Sequence, residues 1–181
     1  MYTLNVKKRD NTIKAKKLRK MGMVTGNIRL DKENTNLLFA IPVSEAKKFM
    51  KEKTKGGLLK VVFDGQEYTT LVREILENPL TREILEISLQ NLENGNMVTT
   101  VAHVILKNKN KLATLVNTEI TEIPYKSLSE NIVETAEIDL TKYKPGEKVI
   151  LKDFAICNDP NVEILIENDT VVATVTKKAV S

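Results

Sequence analysis

Between Leu58 and Leu76 the chain carries two strand-like runs, Leu58–Phe63 and Glu67–Leu76, separated by Asp64-Gly65. A two-residue connection of this kind demands left-handed backbone at its centre, which Asp and Gly supply cheaply. It therefore predicts an antiparallel hairpin of Leu58–Phe63 with Glu67–Leu76. The strand signal, an alternation at Tyr2–Lys7 and short apolar-rich runs between turn residues elsewhere, recurs along most of the chain. It predicts strands at Tyr2–Lys7, Asn27–Leu30, Leu37–Ile41 and Ile84–Leu89 in the first half. In the second half it predicts strands at Val98–Leu106, Leu112–Ile120, Ile132–Ile138, Lys148–Leu151, Val162–Ile166 and Val171–Val175.

Only two segments carry helical spacing. Thr12 can cap a helix over Ile13–Met21, with Ala15, Leu18 and Met21 on one side and Gly22 as its stop. Ser44 can cap a second helix reaching about Lys53, with Ala46, Phe49 and Met50 as its buried stripe. Asn91–Asn96, containing Asn94-Gly95, is the best linker. The expected class is α+β and mostly β: an N-terminal unit over 1–91 with short helices, then an all-β unit over 96–181.

The residue inventory narrows the chemistry. With one histidine, one cysteine and no tryptophan in 181 residues, a four-ligand zinc site of His and Cys cannot be built. His103 and Cys157 both fall in apolar runs that read as strands, which favours a structural role for each over a thiol–imidazole dyad. Seven glycines are scattered, forming neither a phosphate loop nor a dinucleotide fingerprint. Carboxylate pairs such as Glu83 and Glu86 are what any soluble chain offers. No enzyme, cofactor, metal or small-molecule substrate is expected. No apolar run approaches the ~20 residues of a membrane span. The basic opening does not resemble a secretory signal, so a cytoplasmic location is expected.

Charge supplies the positive clue. The net +4, from 28 basic and 24 acidic groups, hides a strong polarity. Residues 1–30 hold nine cations (Lys7, Lys8, Arg9, Lys14, Lys16, Lys17, Arg19, Lys20 and Arg29) against the single acid Asp10. The rest of the chain is mildly acidic. Such segregation is the footprint of a polyanion-binding face, the competing reading being a solvated basic helix without a partner. Tyr2 is the only aromatic residue in this segment, so the stacking platforms of single-strand readers are missing. Phosphate and sugar contacts across a helical RNA groove suit the composition better.

The residues also carry a family likeness. Lys14-Ala15-Lys16-Lys17-Leu18-Arg19-Lys20-Met21-Gly22-Met23-Val24-Thr25-Gly26 resembles the opening of the bacterial 5S rRNA-binding large-subunit ribosomal proteins of the L25 type, a family that includes the general stress protein Ctc. Leu71-Val72-Arg73-Glu74-Ile75 with Asn78-Pro79-Leu80-Thr81 extends the likeness, and Ile138-Asp139-Leu140, Gly146 and Lys152-Asp153-Phe154 continue it in the second half. The resemblance implies an N-terminal RNA-binding β-barrel and a C-terminal β domain. It implies 5S rRNA as partner within the large ribosomal subunit, with a neighbouring ribosomal protein as a further candidate.

The resemblance assigns RNA contact to Arg9 and Arg19. Arg29 stands at the family's tyrosine position, while Glu86 and Ser88 stand at its histidine and aspartate. Thr25 and Val133 replace prolines, and Lys107–Lys111 replaces paired glycines. The expected RNA-binding set is Arg9, Lys14, Lys17, Arg19, Lys20 and Arg29. The Arg29, Glu86 and Ser88 departures open a second reading: a Ctc-like stress protein that keeps the fold, binds RNA weakly and serves as a protein-interaction module.

Overall fold

A computed structural model of the chain describes residues 2–32, 34–111 and 115–176. It divides into two compact units, Met1–Glu93 and Asn94–Ser181. The first contains β1 (Tyr2–Lys8), α1 (Ala15–Lys20), β2 (Met23–Leu30), β3 (Thr35–Pro42), α2 (Val43–Glu52), β4 (Leu58–Phe63), β5 (Gln66–Glu77) and β6 (Ile84–Asn91). The six strands close into a barrel in the order β1-β3-β2-β6-β5-β4. Two parallel contacts, β1 with β4 and β2 with β6, complete the ring, and the other four are antiparallel. Closure leaves no strand edge open to aggregation.

The Asp64-Gly65 hairpin forms as its chemistry requires, with both residues at positive φ (49° and 83°). Leu4, Val24, Ile28, Phe39, Ile41, Leu59, Val61, Ile87 and Leu89 fill the interior. The alternation places their neighbours outside. Tyr2 tilts against Phe49 of α2, ring centroids 6.1 Å apart. It is packing material and offers no platform for a base.

Both helices start differently from the sequence reading. α1 begins at Ala15, with Lys14 rather than Thr12 at the capping position. Asp10 competes for Thr12: its Oδ1 accepts from the Thr12 backbone N–H at 2.8 Å and the hydroxyl at 2.6 Å, closing a local turn instead. Gly22 does end the helix, at φ 76°, but Met21 is 62% exposed rather than part of the inner stripe. α2 opens at Val43 immediately after Pro42, whose fixed φ suits a helix entry, so Ser44 lies inside the helix instead of capping it. β2 starts at Met23, four residues earlier than expected.

The second unit contains β7 (Met97–Lys107), β8 (Leu115–Thr118), β9 (Glu122–Leu128), β10 (Thr135–Asp139), β11 (Lys148–Ile150), β12 (Val162–Ile164) and β13 (Val171–Thr176). They form a four-stranded sheet, β10-β7-β9-β12, and a three-stranded sheet, β11-β13-β8. One core, with Ala102, Ile123 and Tyr125 from the first sheet and Val149, Val172 and Ala173 from the second, is shared by both.

β9 is absent from the sequence reading because Pro124 interrupts its strand signal. Here the proline sits opposite Val101, and its carbonyl accepts the Leu165 N–H at 3.0 Å. The expected strand at Leu112–Ile120 is observed over Leu115–Thr118, and its first three residues fall outside the described ones. Ile132–Ile138 shortens to Thr135–Asp139. Cys157 lies in a short 3-10 helix, Ala155–Asn158, not in a strand. Its thiol donates to the Leu151 carbonyl at 3.1 Å, and burial raises its pKa. This is the environment of an inert thiol.

Tyr125 is fully buried and satisfies both backbone groups of one residue. Its hydroxyl donates to the Val133 carbonyl at 2.8 Å and accepts the Val133 N–H at 2.7 Å. Tyr125→Phe therefore removes a donor and an acceptor at once. It should destabilise the second unit by about 1–3 kcal/mol, read as a lower denaturant midpoint at unchanged slope. An unchanged midpoint would show that water replaces the hydroxyl.

Candidate nucleic-acid interface

On β2 the inward residues are Val24, Gly26, Ile28 and Leu30, so Thr25, Asn27 and Arg29 lie on the outer side, where Thr25 is covered and donates its hydroxyl to the Leu85 carbonyl at 3.4 Å. The parallel register sets Thr25 opposite Glu86, Asn27 opposite Ser88 and Arg29 opposite Gln90 of β6. Opposed residues share a face. Two strands remote in sequence thus build one polar stripe. Asn27 ties them together: its Nδ2 donates to Glu86 Oε1 at 3.2 Å and to Ser88 Oγ at 3.3 Å. Sequence reasoning did not single out Asn27, although its place between Thr25 and Arg29 in the period-two pattern was the available signal.

Arg9 belongs to the same outer surface. Lys7 pairs with Ala40 and Lys8 with Phe39, and the Arg9 N–H continues that register by donating to the Leu38 carbonyl at 2.9 Å. Leu38 in turn faces Asn27. One row across the sheet therefore runs Arg9, Leu38, Asn27, Ser88. The guanidinium is half-buried, with Nη2 donating to the Ile13 carbonyl at 3.4 Å. Its buried Nε has no acceptor. A buried donor left unmade costs about 1–3 kcal/mol, so this cation is poorly explained by fold stability alone.

The helix supplies the denser charge. α1 lies against β2 and turns Leu18 inward. The 100° step between helical residues places Lys16, Lys17 and Lys20 within one outward arc, and all are exposed. Lys16 thus joins Lys17 and Lys20 on the same arc, although it was outside the expected set. Lys14 is exposed just before the helix. Arg19 flanks the arc and points its half-buried side chain toward the barrel end, where it lines a cleft with Lys47 and Arg82.

Among the described residues, Arg9, Lys14, Lys16, Lys17, Arg19 and Lys20 form no ion pair, while Lys32, Lys48 and Lys60 elsewhere in the barrel do. Asp10, the one acid among them, spends an oxygen on Thr12, and that hydrogen bonding lowers its pKa. Crowded like charges with no counter-charge repel one another, which a polyanion would relieve.

Arg29 behaves differently from the expected free cation. Its Nε sits 2.9 Å from Asp31 Oδ1, and Gln90 Nε2 donates to the other Asp31 oxygen. The pair is exposed and worth about 0–1 kcal/mol, so a phosphate can displace the aspartate cheaply. The six expected cations therefore form two connected groups on the barrel's outside. Arg9 and Arg29 bracket the β2–β6 stripe. Lys14, Lys17, Arg19 and Lys20 come from the helix segment lying against the same strand.

A closed barrel thus carries an unneutralised basic helix beside a hydrogen-bonded polar stripe, a surface suited to a polyanion. Residues 4–89 match the Ribosomal L25p family, and residues 97–179 match the C-terminal domain of ribosomal protein TL5. Together these matches span nearly the whole chain, which belongs to the bacterial L25 family of ribosomal proteins. Similar curated proteins include the large ribosomal subunit protein bL25 of Lachnoclostridium phytofermentans, 28% identical over 174 residues and covering 90% of each chain. The bL25 of Clostridium perfringens is 24% identical over 180 residues, covering 97% of this chain and 88% of its own. That of Helicobacter hepaticus is 26% identical over 153 residues, covering 82% and 84%.

No group of three or more potential metal ligands occurs among the described residues, and no helix is long and apolar enough to cross a membrane.

Proposed function

We propose that this chain is a structural component of the large ribosomal subunit. It holds 5S rRNA against the outer side of its barrel, with residues 1–91 as the RNA-binding unit and residues 96–181 available to a neighbouring ribosomal protein. The observation that supports this most is the set of cations without counter-charge along α1, beside the polar stripe of β2 and β6. Arg9, Lys14, Lys17, Arg19 and Lys20 neutralise phosphates, and Arg29 joins them by exchanging Asp31 for phosphate. The role is binding rather than catalysis, and the site of action is the cytoplasmic ribosome. Wide, shallow RNA grooves present phosphates and 2′-hydroxyls to such a surface.

The test is a filter-binding titration with the cognate 5S rRNA at several salt concentrations. Each neutralised phosphate adds about −0.9 to the log–log slope for a duplex. Binding that ignores salt would refute the reading. So would full affinity in a chain carrying both Arg9→Ala and Arg19→Ala.

A second reading rests on Glu86. Its carboxylate stands at one end of the stripe, opposite Thr25 and held by Asn27, where the family likeness places a histidine. A carboxylate there repels phosphate, which fits a stress-protein relative of weaker RNA affinity. Under this reading Glu86→His with Ser88→Asp gains one charge-assisted contact of about 1.5–3 kcal/mol, a tightening of roughly ten- to a hundredfold. Unchanged affinity in the same titration would set this reading aside.

A further inference from the structure

We propose that the barrel carries an additional phosphodiester-binding cleft at the end where β2 and β6 begin, formed by Arg19, Lys47 and Arg82. The proposal rests on the RNA-binding reading above and extends it to two residues, Lys47 and Arg82, that neither the charge pattern nor the family likeness marks. The cleft has a volume of about 190 Å³, and its apolar walls include Met23, Val43 and Ile84. Pockets for drug-sized ligands and cofactors run about 300–1,000 Å³. This one is too small for a whole nucleotide cofactor and suits a single phosphate.

Its three cations come from three different elements. Arg19 is on α1, Lys47 on α2 and Arg82 in the turn between β5 and β6. The first two walls are tied to each other, since the Val43 N–H donates to the Gly22 carbonyl at 2.9 Å and so joins the start of α2 to the end of α1. Among the described residues none of the three cations has an ion-pair partner. The one carboxylate on the wall, Glu83, accepts the Thr81 hydroxyl at 3.1 Å.

The turn is built to hold Arg82 in place. The Asn78 N–H donates to the Glu83 carbonyl and the Arg82 N–H to the Asn78 carbonyl, both at 2.8 Å. The Asn78 side-chain oxygen accepts the Leu80 N–H at 2.9 Å and the Thr81 N–H at 3.3 Å. Within this frame Arg82 adopts φ 58°, a conformation that Gly or Asn takes far more readily than arginine. Backbone strain at a cation that lines a cleft points to use. The position fits the described surface as well. Met23 leads along β2 to Thr25, and Ile84 leads along β6 to Glu86. The cleft thus adjoins the Thr25–Glu86 end of the stripe.

The test uses Lys47→Gln with Arg82→Asn in the full chain, asparagine being chosen because it accepts the left-handed turn. Lys60→Gln serves as control, since Lys60 is exposed on the barrel and paired with Glu67. In 5S rRNA titrations the double variant should lose about 0.7–0.9 of log–log slope per contact removed, with the thermal midpoint and the control unchanged. A slope equal to that of the parent chain overturns the cleft while leaving the RNA-binding reading intact. Loss of salt-dependent binding in the parent chain overturns both. Titration of the protein alone with inorganic phosphate separates the remaining source. Cleft amides that shift at low millimolar phosphate, in a chain whose RNA slope the double variant does not alter, would make this a free-phosphate site and overturn the RNA assignment.

Discussion

Adding one methyl group at Gly26 should cost the first unit stability at or above the upper end of the usual 1–3 kcal/mol for overpacking. A Cβ there would stand 2.3 Å from the Phe39 ring and 2.6 Å from the Ile87 carbonyl oxygen. The ring can move. The carbonyl cannot, because it belongs to the parallel ladder in which Gly26 faces Ile87. In Gly26→Ala, denaturant unfolding of the chain should show an early transition for the first unit, with the second unit's transition in place. Combining it with Phe39→Leu should recover part of the loss and no more. An unshifted first transition would mean that β2 and β6 lie farther apart than described. RNA binding should fall with the barrel, since the same ladder sets Asn27 against Ser88.

The second large effect runs through charge. Lys16, Lys17 and Lys20 changed together to glutamine should lower the salt slope of 5S binding by about 2–3 and the affinity near 0.1 M salt by on the order of a hundredfold or more. Glutamine matches lysine in helix propensity, and the change removes repulsion among neighbours that lack counter-charges. Thermal stability should therefore hold or rise slightly while binding collapses. Opposite movement of the two readouts distinguishes a binding face from a structural one. A variant that melts earlier and binds normally would assign these lysines to the fold.

What the sequence disclosed follows from how local each determinant is. Asp64-Gly65 announced its hairpin because the turn's backbone demand is met or failed by two adjacent residues. The crowd of cations was equally plain, being a property of one short segment. Asn27 was harder. Its importance arises from Glu86 and Ser88, about sixty residues away, and no local pattern states that β2 and β6 run parallel. The helix caps misled for a different reason. Thr12 and Ser44 are good capping residues by type, but Asp10 lies near enough to claim the first, and Pro42 fixes the entry before the second is reached. The Pro124 strand shows the limit of a propensity rule: proline disfavours a strand only where the ladder needs its missing N–H. Arg82 was invisible for a plainer reason, since nothing in a turn sequence says which cleft it borders.

The way the ring closes bears on when the protein becomes competent during its own synthesis. In order of synthesis the lysine-rich segment precedes the strand that completes its surface. Yet β6, which supplies half of the polar stripe, is the final barrel strand and ends at Asn91. Until that strand has been made, β2 lacks its parallel neighbour and the early cations hang on an unfinished scaffold without a shaped surface. A shaped surface therefore forms only once β6 has been made.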